Sequence, residues 1–222
     1  MTYRLKGQRI GVIGSGAVGQ TLAAGFASRG HDVMLGSRDP EKNEVRAWLE
    51  GAGDGASAGT FAATAEHGEL LVLATLGVGT LPAVELAGPA RFAGKVVIDA
   101  TNPLDFSGGF PPRLMWEDGR SLGESVQAAL PEARVVKAFN IIGNSYFVDP
   151  HFADGRPTML IAGNDDDAKT TVGMVVEDFG WPPAVDVGGI EAARELEELC
   201  ILWVRIGGLR DAWDHGFALL VG

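Results

Sequence analysis

One short stretch near the start limits this chain more than any other. Residues 10–19 read Ile-Gly-Val-Ile-Gly-Ser-Gly-Ala-Val-Gly. An apolar run of strand length, Arg9–Ile13, leads straight into Gly14, Gly16 and Gly19. An amphipathic run follows, with Val18, Leu22 and Phe26 at helical spacing. A G-x-G-x-x-G spacing alone is common. Between a strand and a helix, inside a βαβ unit of roughly 30 residues, it states a physical requirement. Gly14 permits a tight turn, Gly16 lets the backbone approach a diphosphate, and Gly19 lets the helix pack on the strand. The helix N-terminus, from Ala17 and Val18 onward, then offers unpaired N–H groups and partial positive charge to an anion, with Ser15 in the turn.

The rest of the chain repeats this alternation. Further apolar runs are Asp32–Gly36, Leu70–Ala74, Val96–Ala100, Val135–Ala138, Met159–Ala162 and Ala184–Val187. Most are continuous rather than alternating, which predicts strands covered on both faces. Helical patterns lie between them: Val18–Ser28, Pro40–Glu50 with Pro in the first turn, and Asp165–Phe179 with Asn164 as its N-cap. We therefore expect an α/β fold of the Rossmann type, a doubly wound, mostly parallel sheet. Two segments break the rhythm. Thr101–Arg120 is a long Gly- and Pro-rich stretch holding Phe106, Phe110 and Trp116, and loops of that length are often functional. From Gly189 onward comes a small helical C-terminal element, with a helix predicted over Ala192–Ile206. Leu196, Leu199, Cys200 and Trp203 share one face, and Ile201, Leu202 and Val204 lie on others, so it needs more than one covering partner.

Charge and composition remove several function classes. The net charge is −11, with 18 basic and 29 acidic residues, which argues against a nucleic-acid partner. Residues 1–110 carry 9 basic and 11 acidic groups, and residues 111–222 carry 9 and 18, so the first half is the more hospitable to an anionic ligand. The single cysteine, Cys200, excludes an internal disulfide and a multi-cysteine zinc site. No apolar run approaches the ~18 residues of a spanning helix and no targeting segment is visible. No membrane partner is expected, and a cytoplasmic location is. Asp165, Asp166 and Asp167 are expected to charge a helix first turn rather than hold a metal. Glu191–Glu198 is expected to be a solvated helix face.

The end of the second strand sets the nucleotide. A site for NAD would place an acid there, whereas this chain has Gly36-Ser37-Arg38. A guanidinium can grip a 2′-phosphate with paired charge-assisted bonds. Ser37 adds a donor, and Lys42, one helical turn on, can reach the same anion. One such bond is worth roughly 1.5–3 kcal/mol, or roughly tenfold to 150-fold in preference for NADP. In open α/β sheets the ligand lies at the carboxyl ends of the strands. Here those ends are Thr75–Leu76, Thr101–Asn102 and Phe139–Asn140, candidates for the nicotinamide end and its reaction partner.

With those residues in view, the chain resembles the coenzyme F420-dependent NADP oxidoreductases and the wider group of small NADP-binding reductases. The resemblance runs through Gly14-Ser15-Gly16 to Gly19, Gly36-Ser37-Arg38, Asp99-Ala100-Thr101-Asn102-Pro103-Leu104, Lys137-Ala138-Phe139-Asn140, Ala162-Gly163-Asn164-Asp165 and the closing Phe217-Ala218-Leu219-Leu220. It implies an NADP-binding domain over 1–188 and a helical element over 189–222 at a dimer or substrate-cleft contact, often within a homodimer. It also implies hydride exchange between NADPH and a deazaflavin, coenzyme F420. Asn140 stands where archaeal relatives carry histidine, and Gly143 where a proline is expected. Ferric-reductase relatives carry a similar domain ahead of a membrane portion, and no such portion is expected here.

Hydride transfer asks for close, aligned carbons and excluded water rather than for particular side chains. No catalytic residue is assigned. None of His31, His67, His151 and His215 sits at a predicted strand end, and Tyr146 is the one further donor considered. The reading is hydride transfer from NADPH to a deazaflavin, a flavin or a related small-molecule acceptor. Two alternatives stay open: a non-enzymatic NADP-binding sensor, and a reductase of small carbonyls or imines.

Overall fold

The computed structural model describes Tyr3, Arg4, residues 6–116 and residues 119–222. Glu117 and Asp118, inside the long loop singled out above, lie outside the described residues. The strands are β1 (Arg9–Ile13), β2 (Asp32–Gly36), β3 (Ala56–Gly59), β4 (Leu70–Leu73), β5 (Val96–Asp99), β6 (Leu104–Asp105), β7 (Arg113–Leu114), β8 (Arg134–Lys137), β9 (Leu160–Gly163) and β10 (Val185–Asp186). The helices are α1 (Ala17–Ser28), α2 (Asn43–Ala52), α3 (Phe61–His67), α4 (Thr80–Ala87), α5 (Leu122–Ala129), α6 (Asp166–Asp178) and α7 (Ala193–Arg210).

Eight strands form one sheet in the order β10-β9-β8-β5-β4-β1-β2-β3. All neighbours run parallel except β8 and β9. The chain winds outward from β1 through β2 and β3, returns to β4, and winds the other way, so the switch point falls between β1 and β4. Continuous apolar strands are buried on both faces, and their alternation sorts the side chains. Ile10, Val12, Leu70, Val72, Val96 and Ile98 enter one core with α1 and α6, around Phe26 and Phe179. Ile13, Leu71, Leu73, Val97 and Val135 enter the other with α3, α4 and α5, around Phe61 and Phe92. This is the doubly wound Rossmann-type fold that the sequence pattern predicts. No helix of the described residues is long and apolar enough to cross a membrane.

Several expectations shift. β3 has no apolar signature. Its Ala-Ser-Ala-Gly sequence is half-buried and pairs with β2 at the sheet edge. Pro40 lies in a turn ahead of α2, whose N-cap is Lys42; in that turn Ser37 Oγ accepts from Asp39 N and Asp39 Oδ1 accepts from Glu41 N. The N-cap of α6 is Asp165, whose carboxylate accepts from Ala168 N at 2.7 Å, while Asn164 Oδ1 accepts from Ile190 N. Asp166 and Asp167 do fall in the first turn of α6. The long loop is not structureless, since β6 and β7 pair as a short hairpin within it. α7 runs four residues past the predicted end at Ile206.

Candidate functional site

The carboxyl ends of the parallel strands bring together the glycine turn, Ser37–Arg38, Thr75–Leu76, Thr101–Asn102 and Asn140. At the end of β1, Gly14 has φ +123°, and a Cβ there would collide with the Ala74 carbonyl after β4. A Cβ on Gly19 would collide with the Gly14 carbonyl, so α1 can seat on the turn only if residue 19 is glycine. Gly16 differs. It is exposed, and a Cβ there would meet nothing within 4 Å. No packing among the described residues explains that glycine, and open space above it is what an approaching diphosphate would need.

Gly16 is also the N-cap of α1. It offers no side-chain cap, and the first turn carries no acidic residue. In lacking that acid α1 resembles α3 and α4, whereas α2, α5, α6 and α7 each place acid in the first turn. The start of α1, at Ala17 and Val18, keeps its positive end free of carboxylate. At the end of β2, Ser37 is buried. It accepts from Ser15 Oγ at 3.2 Å and donates to Asp39 O at 2.9 Å, which ties the two turns together. Arg38 is exposed and Lys42 half-buried, and among the described residues neither side chain has a hydrogen-bond or ion-pair partner. Two cations without partners among the described residues thus stand beside an uncapped helix N-terminus, a set that fits NADP.

Toward the other side of the switch point, Thr75 Oγ1 lies 2.9 Å from Thr80 Oγ1. Leu76 is 82% exposed and Val78 61%. Two large apolar side chains beside the crevice leave a surface that a bound ring would cover. Beyond β8 the chain turns sharply at Phe139, a non-glycine residue with φ 62° whose amide donates to Met159 Sδ at 3.2 Å. Such a conformation costs about 1–3 kcal/mol and clusters at ligand sites. The turn brings Asn140 back onto Asn102 at the end of β5. Asn102 Nδ2 donates to Asn140 O at 2.8 Å, and Asn140 Nδ2 donates to Asn102 Oδ1 at 2.9 Å. Asn140 Oδ1 is buried and receives no bond from the described residues. Asn140, Ile141, Ile142, Met159, Leu199 and Phe217 help line a small, partly open cavity.

Thr101 is placed differently from its neighbour. It is buried, and its hydroxyl donates to Asp99 Oδ1 at 2.6 Å. Behind it lies a cluster that sequence reasoning missed. Lys137 Nζ sits 3.0 Å from Asp99 Oδ2 and 3.0 Å from Glu197 Oε1, with all three side chains fully buried. Glu197 is therefore not part of a solvated face, which corrects the reading of Glu191–Glu198. Its carboxylate accepts from Trp116 Nε1 at 2.9 Å and from the Leu122 and Gly123 amides at 3.1 and 3.0 Å, at the start of α5. Burial alone would push the Lys137 ammonium down, but Asp99 and Glu197 together outweigh it and hold it above its ordinary value. Helical spacing carries the signal: Glu197 is four residues from Ala193 and three from Cys200, both buried.

The four histidines stay away from the carboxyl ends of the strands. His31 is buried at the amino end of β2, against Tyr3, and His215 stacks on Trp203. His67 ends α3, and His151 is exposed in a loop. Tyr146 stacks on Phe152.

A switch-point glycine turn, an uncapped helix start and free cations beyond the second strand define a dinucleotide-binding oxidoreductase fold. A family model described as NADP oxidoreductase, coenzyme F420-dependent, matches residues 9–103. F420-dependent NADP reductase of Methanothermobacter marburgensis is 33% identical over 209 residues, covering 87% of this chain and 89% of that one. Metalloreductase STEAP3 of Rattus norvegicus is 29% identical over 200 residues, 86% of this chain, and the chain spans 36% of that protein's length. A solved Arthrobacter sp. FB24 protein, provisionally described as an F420-dependent NADP reductase, superposes with a TM-score of 0.91 at 37% identity, over 97% of this chain and all of that one. The chain belongs to the coenzyme F420-dependent NADP oxidoreductase family, and it is an NADP-dependent oxidoreductase.

Proposed function

We propose that this oxidoreductase passes a hydride between NADPH and a flat conjugated ring, coenzyme F420 or another deazaflavin or flavin. When bound, NADPH supplies the hydride. The chain's own part is to hold and align. The Gly14–Gly19 turn and the first amides of α1 receive the diphosphate. Ser37, Arg38 and Lys42 receive the 2′-phosphate. Thr75, Leu76 and the Asn102–Asn140 pair flank the nicotinamide end.

The observation that carries the acceptor reading is the cavity beside Asn140. Among the described residues its lining is mostly apolar and includes no acidic, histidine or tyrosine side chain. A conjugated ring spreads the incoming charge and needs no proton donor at the reacting atom, whereas a carbonyl or imine needs one nearby. The acidic second half of the chain does not prevent this, because the cavity itself is uncharged. A homodimer belongs to the same reading. Leu202, at 46%, and Leu209, at 82%, leave α7 with exposed apolar surface that a second copy would cover.

Stopped-flow oxidation of NADPH with coenzyme F420, FMN and a small cyclic imine tests the proposal. We expect the deazaflavin to react fastest and the imine slowest. Tight NADPH binding without turnover on any acceptor would leave a nucleotide sensor as the better account. Fastest reaction with the imine would point to the carbonyl and imine class.

A further inference from the structure

The buried charges and the strand-end amides form one closed ring of contacts. Two successive residues of α7 start it. Glu197 grips Lys137 of β8 at 3.0 Å, and Lys137 Nζ reaches Asp99 of β5 at 3.0 Å and the Thr101 carbonyl at 2.7 Å. Thr101 is followed by Asn102, which pairs twice with Asn140. Asn140 Nδ2 closes the ring by donating to the carbonyl of Leu196, the α7 residue beside Glu197, at 3.1 Å. α7 therefore holds both strand ends that carry the amide pair.

The cost of this arrangement argues that stability alone does not explain it. Two carboxylates and one ammonium are fully buried and leave one net negative charge, offset by the amides of Leu122 and Gly123 at the start of α5. Apolar side chains of similar volume commonly serve stability as well or better than a buried ion cluster. What the ions add is fixed geometry, because each charged atom tolerates little displacement from its partners.

We propose that Glu197 and Lys137 are positioning residues that set the seat of the nicotinamide ring by fixing the Asn102–Asn140 pair against α7. Trp116 and Arg194 brace the same point. The indole donates to Glu197 Oε2, and the Arg194 guanidinium lies 4.6 Å over the indole ring. The inference rests on the proposed placement of the nicotinamide at these strand ends. It makes the long loop and the C-terminal helix parts of the nicotinamide site although neither contributes a group to the cavity's polar chemistry.

The test compares the two ends of the nucleotide in the full chain. Calorimetry with 2′,5′-ADP reads the adenosine end alone, and the emission of bound NADPH reads the surroundings of the nicotinamide ring. For Glu197→Gln we expect 2′,5′-ADP affinity within twofold of the wild type. We expect bound NADPH emission to move back toward that of free NADPH, and single-turnover oxidation to slow at least tenfold. Unchanged emission in the variant would overturn the proposal whatever happens to turnover. If Glu197→Gln does not fold, Trp116→Phe decides by the same emission reading, with a smaller shift in the same direction expected and no shift overturning it. Wild-type protein that binds neither 2′,5′-ADP nor NADPH would instead sink the nucleotide reading itself, and this proposal with it.

Discussion

The two halves of the strand-end crevice are built on opposite plans. Around α1 the chain leaves things unfinished: an uncapped helix start, open space over Gly16, and Arg38 and Lys42 without partners among the described residues. Around β5, β8 and α7 the polar groups are matched within the described residues save for Asn140 Oδ1, down to three buried charges. Vacant valence on one side and saturated valence on the other suit different tasks. A tightly charged anion is held by groups that wait for it, while a neutral ring is placed by groups that are already fixed. On this contrast, substitutions on the first side should move binding and spare the fold. On the second side they should move the fold first.

The largest effect is expected from Lys137→Ala. It leaves Asp99 and Glu197 facing each other, buried, without the cation between them. Removing one partner from a buried pair costs about 3–5 kcal/mol, so urea midpoints should fall steeply. A loss below about 1 kcal/mol, on the scale of an exposed pair, would mean that water reaches the cluster and that the saturated half is not dry.

The glycine turn offers a sharper cut within one motif. Gly19→Ala must push α1 off the turn, costing about 1–3 kcal/mol by overpacking, together with NADPH affinity. Gly16→Ala meets no atom of the chain and keeps an ordinary backbone angle of −79°. Its melting temperature should match the wild type while NADPH affinity falls at least tenfold. Calorimetry showing full affinity in Gly16→Ala would remove the diphosphate from that position.

These two variants also show what is readable in the sequence. The turn is legible because its needs are backbone needs, met by one residue type at three nearby positions. The strands are legible because burial on both faces leaves continuous apolar runs. β3 is not, since Ala56–Gly59 holds only small residues at an edge. The buried cluster joins Lys137 to Asp99, 38 positions earlier, and to Glu197 on the last helix, through contacts that no local pattern encodes. A lysine within a buried strand run is its one visible trace, and Glu197 is hidden among other acids. The cap of α6 falls one residue later than expected because Asn164 and Asp165 are equally good caps, and only the tertiary bond from Ile190 to Asn164 decides.

Arg38→Ala comes next in size. Without its charge-assisted bond to the 2′-phosphate, NADPH should weaken by roughly tenfold to 150-fold, while NADH changes by less than twofold and the urea midpoint stays put. Equal weakening of both nucleotides would show that the guanidinium does not touch the extra phosphate, and the unfinished half would lose its strongest member.

The smallest effect lies at the amino end of β2, away from the crevice, and serves as the reference for both halves. Tyr3 Oη donates to Asp178 Oδ2 at 2.6 Å and lies 2.8 Å from His31 Nε2, and His31 Nδ1 is buried without a partner among the described residues. Burial holds the His31 imidazole below its ordinary value, against opposing pulls from the Asp178 carboxylate and the Gln8 backbone. The unfolded chain therefore takes up this proton near pH ~6.5, and the folded chain only at lower pH. Between those points the unfolded state binds more protons, so stability falls as pH drops below about 6.5, with a limiting slope of about 1.4 kcal/mol per pH unit, and this group contributes no slope above that range. Melting curves from about pH 7.5 to 5 should show a smaller decline for His31→Gln than for the wild type, with 2′,5′-ADP affinity equal in both at each pH. Parallel declines would mean that His31 titrates alike folded and unfolded. A change in nucleotide affinity in His31→Gln would show that this end of the sheet is coupled to the crevice, and the separation between an anion half and a ring half could no longer be tested one side at a time.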